Sequence, residues 1–164
     1  MPRVFGCIAI AHAFLLVATG VLGLVGTGVH TQRHIVLAIF TLFLGCLLQI
    51  VVFMYFAVSG KMMRQAIHFG RLDTAPLVQL DRRKRGITLV LAVFVVSVLF
   101  STATGAAHWR SGQSGTLHLL AAGISVIVQL GCWFADFLLV AAHSFVFDRV
   151  MREYGDRKIE AAVA

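Results

Sequence analysis

The sequence predicts an all-α integral membrane protein: a four-transmembrane-helix antiparallel bundle, N-in/C-in, with both chain ends in the cytoplasm. Three observations predict it. The chain of 164 residues is 59% hydrophobic and only 13% charged, whereas roughly a quarter of the residues in an average soluble domain are charged. The apolar residues gather into four runs, each of about 20 residues or more, the length that crosses a hydrocarbon core about 30 Å thick. The basic residues behind the formal net charge of +7 collect at one side of those runs.

The four spans are expected at about 4–28, 34–59, 86–107 and 116–147. The connections between the first two and the last two are short, and short connections make antiparallel neighbours. The middle connection, 60–85, is longer and basic, with Lys61, Arg64, Arg71, Arg82, Arg83, Lys84 and Arg85. Residues 61–69 are expected to continue the second helix past the membrane. Asp73-Thr74-Ala75-Pro76 reads as a helix start, with Asp or Thr as cap and Pro in the first turn. The tail, 148–164, starts amphipathic and is expected to fray at Ala161-Ala162-Val163-Ala164. So little chain lies outside the runs that the whole of 1–164 reads as a single membrane domain. No repeat of 20–50 residues is evident, and the two halves do not align by residue type.

Charge sets the orientation. Arg3 precedes the first run, Arg149, Arg152, Arg157 and Lys158 follow the last, and the two short connections hold only Arg33 and Arg110. Basic residues beside spans mark the cytoplasmic side, so the charge pattern and the even number of spans agree. A bacterial cytoplasmic membrane is the expected location. The basic loop can also touch anionic lipid head groups, at about 1 kcal/mol per residue near the surface. Topology and anchoring account for the charge without nucleic acid. The first run continues to about Gly26 with no typical processing site, so no cleavable signal peptide is read. Cys7, Cys46 and Cys132 all fall in apolar runs without CxxC spacing, as small core residues do.

Helical spacing gathers the few polar residues into stripes. The first helix aligns His12, Thr19, Gly23, Gly26 and His30, and the second His34, Thr41, Gly45 and Gln49. The third aligns Ser97, Ser101, Thr104 and His108, and the fourth His118, Ser125, Gln129, Cys132, Asp136 and His143. Membrane helices pack through small residues and interhelical hydrogen bonds, so for Ser, Thr and Gly the stripes identify the buried face and nothing more. Asp136 is different. A carboxylate deep in a span costs several kcal/mol unless it faces a partner or a hydrated cavity. Its expected partner lies on another helix, with His12 and Gln49 matched to it in depth; packing of a protonated Asp136 is the plainer alternative.

The histidines are the sharpest feature. His30, His34, His108 and His118 are placed towards the outside, His12 and His143 towards the cytoplasm. Imidazole is the usual axial ligand of b-type haem and a good ligand for Zn, Cu and Fe. The pairs His12/His143 and His30/His118 are therefore candidate haem ligands, with His30, His34, His108 and His118 as an alternative outer metal site. The rows do not match in length. His12 to His30 spans about 27 Å of helix and His118 to His143 about 37 Å, so tilt, or His34 or His108 in place of one outer ligand, is needed. Interfacial histidines beside Arg33, Trp109 and Arg110 also have the plain reading that water reaches them. Trp133 and Tyr55 read as packing or anchoring residues.

Three functions follow as expectations. One is an electron-transfer or quinone-handling membrane subunit that anchors a larger complex and holds haem b. The second is a non-catalytic structural or assembly subunit, packing against other membrane proteins or its own copies in the lipid bilayer. The third is a proton or metal-ion conductor lined by Asp136, His12, His143 and Gln129, with Gln49 a further buried polar residue. No residue stands in a recognisable nucleophile setting, and there is no HExxH or phosphate-cradling glycine loop. An enzyme acting on its own is not expected.

Overall fold

The computed structural model describes residues 2–25, 29–111 and 115–163. Four helices follow one another: α1 (Pro2–Val25), α2 (Val29–Gly70), α3 (Ala75–Ser111) and α4 (Gly115–Val163). Each is long and apolar enough to cross a membrane. Large apolar side chains such as Phe14, Phe43, Leu99, Ile127 and Phe134 point outward from all four.

Three helices outrun their expected spans, with α3 reaching 37 residues. α2 runs for 42 residues and α4 for 49, about 63 and 74 Å at 1.5 Å per residue. The segment 60–85, expected as a basic connection with helix at 61–69 and a new helix start at 73–76, is helical except at 71–74. The expected continuation of α2 through 61–69 holds, and so does the helix start at 73–76. The tail does not fray at Ala161 but stays helical to Val163. Much of the extra helix has something to pack on, which is what holds a helix in place. Met63, Ala66, Ile67, Leu72, Leu80 and Val150 form an apolar cluster separate from the main core.

The turn between α2 and α3 is built locally. Arg71 takes φ 50° and Leu72 N–H donates to the Ile67 carbonyl at 3.1 Å, the bond of a Schellman helix end. Leu72 and Ile67 are both buried in the second cluster, supplying the apolar contact that accompanies such ends. Asp73 Oδ1 then accepts from Ala75 N–H at 3.0 Å, capping α3.

Within the bundle α1 packs on α2 and α4, α3 packs on α4 and α2, and α2 meets α4 across the centre. The main core gathers Phe5, Leu48, Val52, Phe56, Ile87, Phe94, Cys132, Trp133 and Val140. Contacts fix the register. Rising numbers on α1 meet falling numbers on α2: His12 with Thr41 and Gly45, Gly23 with His34. The same holds for α3 and α4, from Gly86 with Leu139, through Val90 with Cys132 and Ser97 with Ser125, to Gly105 with His118. On α2 and α4 the numbers rise together, His34 meeting His118, Gln49 meeting Asp136 and Ser59 meeting His143.

This register carries a repeat that residue types conceal. Ser59 and His143 are 84 residues apart, and the same offset separates His34 from His118 and Thr41 from Ser125. On the flanking helices an offset of 82 lays Thr19-x3-Gly23 on Ser101-x3-Gly105, Phe5 on Ile87 and His12 on Phe94. The α1–α2 half and the α3–α4 half thus present matching positions to the interior.

Candidate functional site

The polar interior has three levels. The first is at the end where α1 gives way to α2 and α3 to α4. There the rings of His34 and His118 face each other, centroids 6.4 Å apart and planes at 69°. His34 Nδ1 lies 2.9 Å from the Thr19 carbonyl oxygen. A carbonyl only accepts, so Nδ1 carries the proton and Nε2 keeps the lone pair. His118 Nδ1 faces Thr104 Oγ1 at a long 3.4 Å, and the Ser101 backbone engages the same ring. Each ring occupies a notch that only glycine leaves open. A Cβ on Gly23 would stand 2.9 Å from His34 Cε1, and one on Gly105 would stand 2.9 Å from His118 Cε1.

His34 therefore stands where His30 was expected. The His30 side chain lies outside the described residues. His108 is exposed and close enough to His118 to act on it electrostatically. Among the described residues no group of three or more His, Cys, Asp or Glu is placed to hold a metal ion. The outer set of His30, His34, His108 and His118 is thus represented by one facing pair, His34 and His118.

The second level is the middle. Asp136 is 0% exposed and Gln49 is 2% exposed. Gln49 Nε2 donates to Asp136 Oδ2 at 2.8 Å, so the partner came from the expected pair of candidates. His12, also fully buried, places Nε2 2.9 Å from the Thr41 carbonyl and turns an edge to Trp133 at 5.1 Å. Its ring fills the space above Gly45, where a Cβ would come within 2.9 Å of Nε2. Gln129 Nε2 donates to Ser125 Oγ at 3.0 Å, and Ser125 Oγ donates to the Ser97 carbonyl.

The third level lies towards the basic residues. His143 Nε2 is 2.7 Å from Ser59 Oγ, and its ring stacks on Phe56 at 4.5 Å and 23°. Ser59 gives its own proton to the Tyr55 carbonyl, so His143 Nε2–H must be the donor between them. Tyr55 OH and Ser144 Oγ share a hydrogen bond of 2.8 Å.

The expected pair of His12 and His143 does not form. His12 meets Trp133, and His143 lies ten residues farther along α4, about 15 Å away along the axis. The cause is the unequal length of the two histidine rows: with α1 in register against α4, His12 reaches the middle of the bundle and not its end. Two residues of the interior were not singled out from sequence, Ser59 and Ser144, and Trp133 was read only as packing or anchoring. Ser59 had a signal, because it follows His34 by the same 25 residues that separate His118 from His143.

No family model, curated protein or solved structure matches this chain.

Proposed function

We propose that this protein is an electron-transfer subunit of a larger membrane complex, holding one b-type haem between His34 and His118. The facing pair carries the proposal. With a metal–nitrogen bond of roughly 2 Å and about 1 Å from each nitrogen to its ring centre, two imidazoles on one metal have centres roughly 6 Å apart. The observed 6.4 Å fits. The Thr19 carbonyl on His34 Nδ1 supports it further, since this kind of bond fixes the tautomer and orientation of a ligating imidazole. The notches at Gly23 and Gly105 let both rings seat deeply against their neighbouring helices. Haem would supply a one-electron couple; His34 and His118 would hold it through two oriented imidazole nitrogens in an apolar surround.

The setting is a bacterial cytoplasmic membrane, with antiparallel spans and both termini cytoplasmic. The positive-inside rule supports this orientation, and it puts the haem near the external face. A reporter fused after Gly115 is expected to read external and one fused at Thr74 cytoplasmic. The reverse pattern would overturn the orientation.

The deciding test is a reduced-minus-oxidised visible spectrum of protein produced with ample haem. Sharp b-type bands are expected in the wild type, lost in His34→Ala and in His118→Ala, and kept in His12→Ala. A flat wild-type spectrum sinks the proposal. It would leave the assembly-subunit reading, which an apolar groove along α3 and α4, lined by Val93, Val96, Phe100, Ile124 and Val128, supports as a seat for a partner helix.

A further inference from the structure

Beyond the histidine pair, the middle of the bundle contains a second set of groups with chemistry of its own. We propose that His12, Gln49, Trp133 and Asp136 form an internal water site, and that Asp136 exchanges a proton there. The proposal rests on observations separate from the haem and stands whether or not His34 and His118 bind one.

Four buried atoms carry it. His12 Nδ1, Gln49 Oε1, Trp133 Nε1 and Asp136 Oδ1 have no hydrogen-bond partner among the described residues. All four residues are at most 4% exposed, and the protein itself encloses them. Their residues form one contiguous patch. His12 touches Trp133. Trp133 precedes Asp136 by one turn on the same face of α4. Asp136 holds Gln49, which sits one turn beyond the Gly45 notch that seats the His12 ring. Buried polar groups without partners cost free energy in any protein, and inside a bilayer no outside water can relieve them.

The identity of the four atoms selects the occupant. Trp133 Nε1–H only donates. Gln49 Oε1 and an ionised Asp136 Oδ1 only accept. His12 Nε2 faces a carbonyl and so carries the proton, which leaves Nδ1 as an acceptor too. Three acceptors stand against one donor. A bare cation would be repelled by the indole N–H, and an anion by the carboxylate. Water fits both kinds: one molecule accepts from Trp133 and donates to two of the three acceptors, within the two to four bonds a buried water makes, and one acceptor is left over.

The surplus of acceptors also favours an extra proton. When it arrives, an O–H bond forms at Asp136 Oδ1 and one breaks in a hydrated proton, leaving neutral water beside a neutral carboxyl. Oδ2 remains the acceptor of Gln49. Among the described residues the other titratable groups at this level are His12 from α1, Cys46 from α2, packed on the same core, and Cys132 from α4 itself. α2 also offers Gln49. α3 has no charged residue between Arg85 and His108 and packs Phe94 on Trp133.

Infrared absorption of the full chain in lipid vesicles tests this. The wild type is expected to show a protonated-carboxyl C=O band that fades as pH rises and shifts in D2O. It should also show an O–H stretch of internal water that shifts in ¹⁸O-water. Both are expected to be lost in Asp136→Asn and kept in Asp148→Asn, whose carboxyl is exposed. Trp133→Phe, which keeps a ring but removes the N–H, should shift the water band and leave the carboxyl band. If Asp136→Asn does not assemble, ¹³C-labelled aspartate with Asp136→Glu assigns the band by its isotope shift and displacement. Absence of either band, or a carboxyl band that neither titrates nor exchanges, overturns the proposal.

Discussion

In the α1–α2 half, His34 seats over Gly23 and bonds the Thr19 backbone; in the α3–α4 half, His118 seats over Gly105 and meets the Ser101 backbone. Farther along the same register the halves diverge. Where the first half has Val52 the second has Asp136, where the first has Gln49 the second has Trp133, and His12 is answered by Phe94. Nearer the basic residues Ser59 is set against His143. The difference assigns chemistry by level. Like groups facing each other suit a ligand that presents two like faces, as the proposed haem would. Unlike groups give a directional arrangement of donors and acceptors, which is what holding a proton in one place requires.

The largest expected effect breaks the like pair. His34→Ala and His118→Ala should each abolish haem absorbance, and to the same extent, because the proposed site gives one haem two equivalent ligands. His143→Ala, about 25 residues farther along α4, should leave the spectrum intact. A spectrum lost on His143→Ala but kept on His34→Ala would show that the symmetric level is packing and the asymmetric one binds the cofactor.

Next is the unlike pair. Asp136→Leu strands the Gln49 amide in the interior, and an unsatisfied buried group costs about 1–3 kcal/mol. Asp148→Leu alters an exposed position and should stay within about 0.5 kcal/mol. Denaturation in detergent measures both, and equal tolerance would argue against a structural hold on Asp136. Placing a carboxyl at the matching position of the other half, with Val52→Asp, should destabilise more than Asp136→Leu, since Val52 sits in the apolar core cluster and a carboxylate buried within a span costs several kcal/mol.

How much of this was legible in the sequence depends on what each feature needed. Spans required only length and apolarity, so all four runs became helices. The inward stripes needed only helical spacing, and Thr41, Gln49, Ser125, Gln129, Asp136 and His143 are buried as expected. The Gln49–Asp136 bond was within reach because depth can be counted in residues. Pairing was not, because register between helices depends on side-chain fit at Gly23, Gly45 and Gly105, which residue counting does not contain. That is why His12 and His143 were expected together and His34 was only a substitute ligand. The repeat was hidden for a related reason: its halves match in position and burial while differing in residue type, as Phe5 and Ile87 do.

A smaller effect tests the notches. Gly23→Ala and Gly105→Ala each put a Cβ 2.9 Å from a ring carbon, closer than carbon contacts allow. Each substitution should push its own histidine outward and weaken haem retention several-fold without abolishing it. The two variants should match if the halves are equivalent at this level. A silent Gly105→Ala beside a damaging Gly23→Ala would mean that only the α1–α2 half, with its firm Thr19 bond, fixes the geometry.

The smallest expected effect concerns the turn that joins the halves. Arg71 holds φ 50°, a left-handed conformation that glycine adopts at no steric cost and other residues rarely do. Gly70 precedes it, but a Cβ on Gly70 would come within 2.9 Å of the Tyr154 ring, so a glycine is already committed one residue early. Arg71→Gly should raise stability by about 1 kcal/mol or less, the relief of strain being partly offset by the freedom glycine gains in the unfolded chain. Arg71→Ala removes the same charge yet keeps the Cβ, so it should change little. If Ala stabilised as much as Gly, the cause would be charge repulsion among the neighbouring basic residues and not the backbone. In that case the Schellman bond from Leu72 to Ile67, with its apolar pair in the second cluster, would be holding the turn without strain.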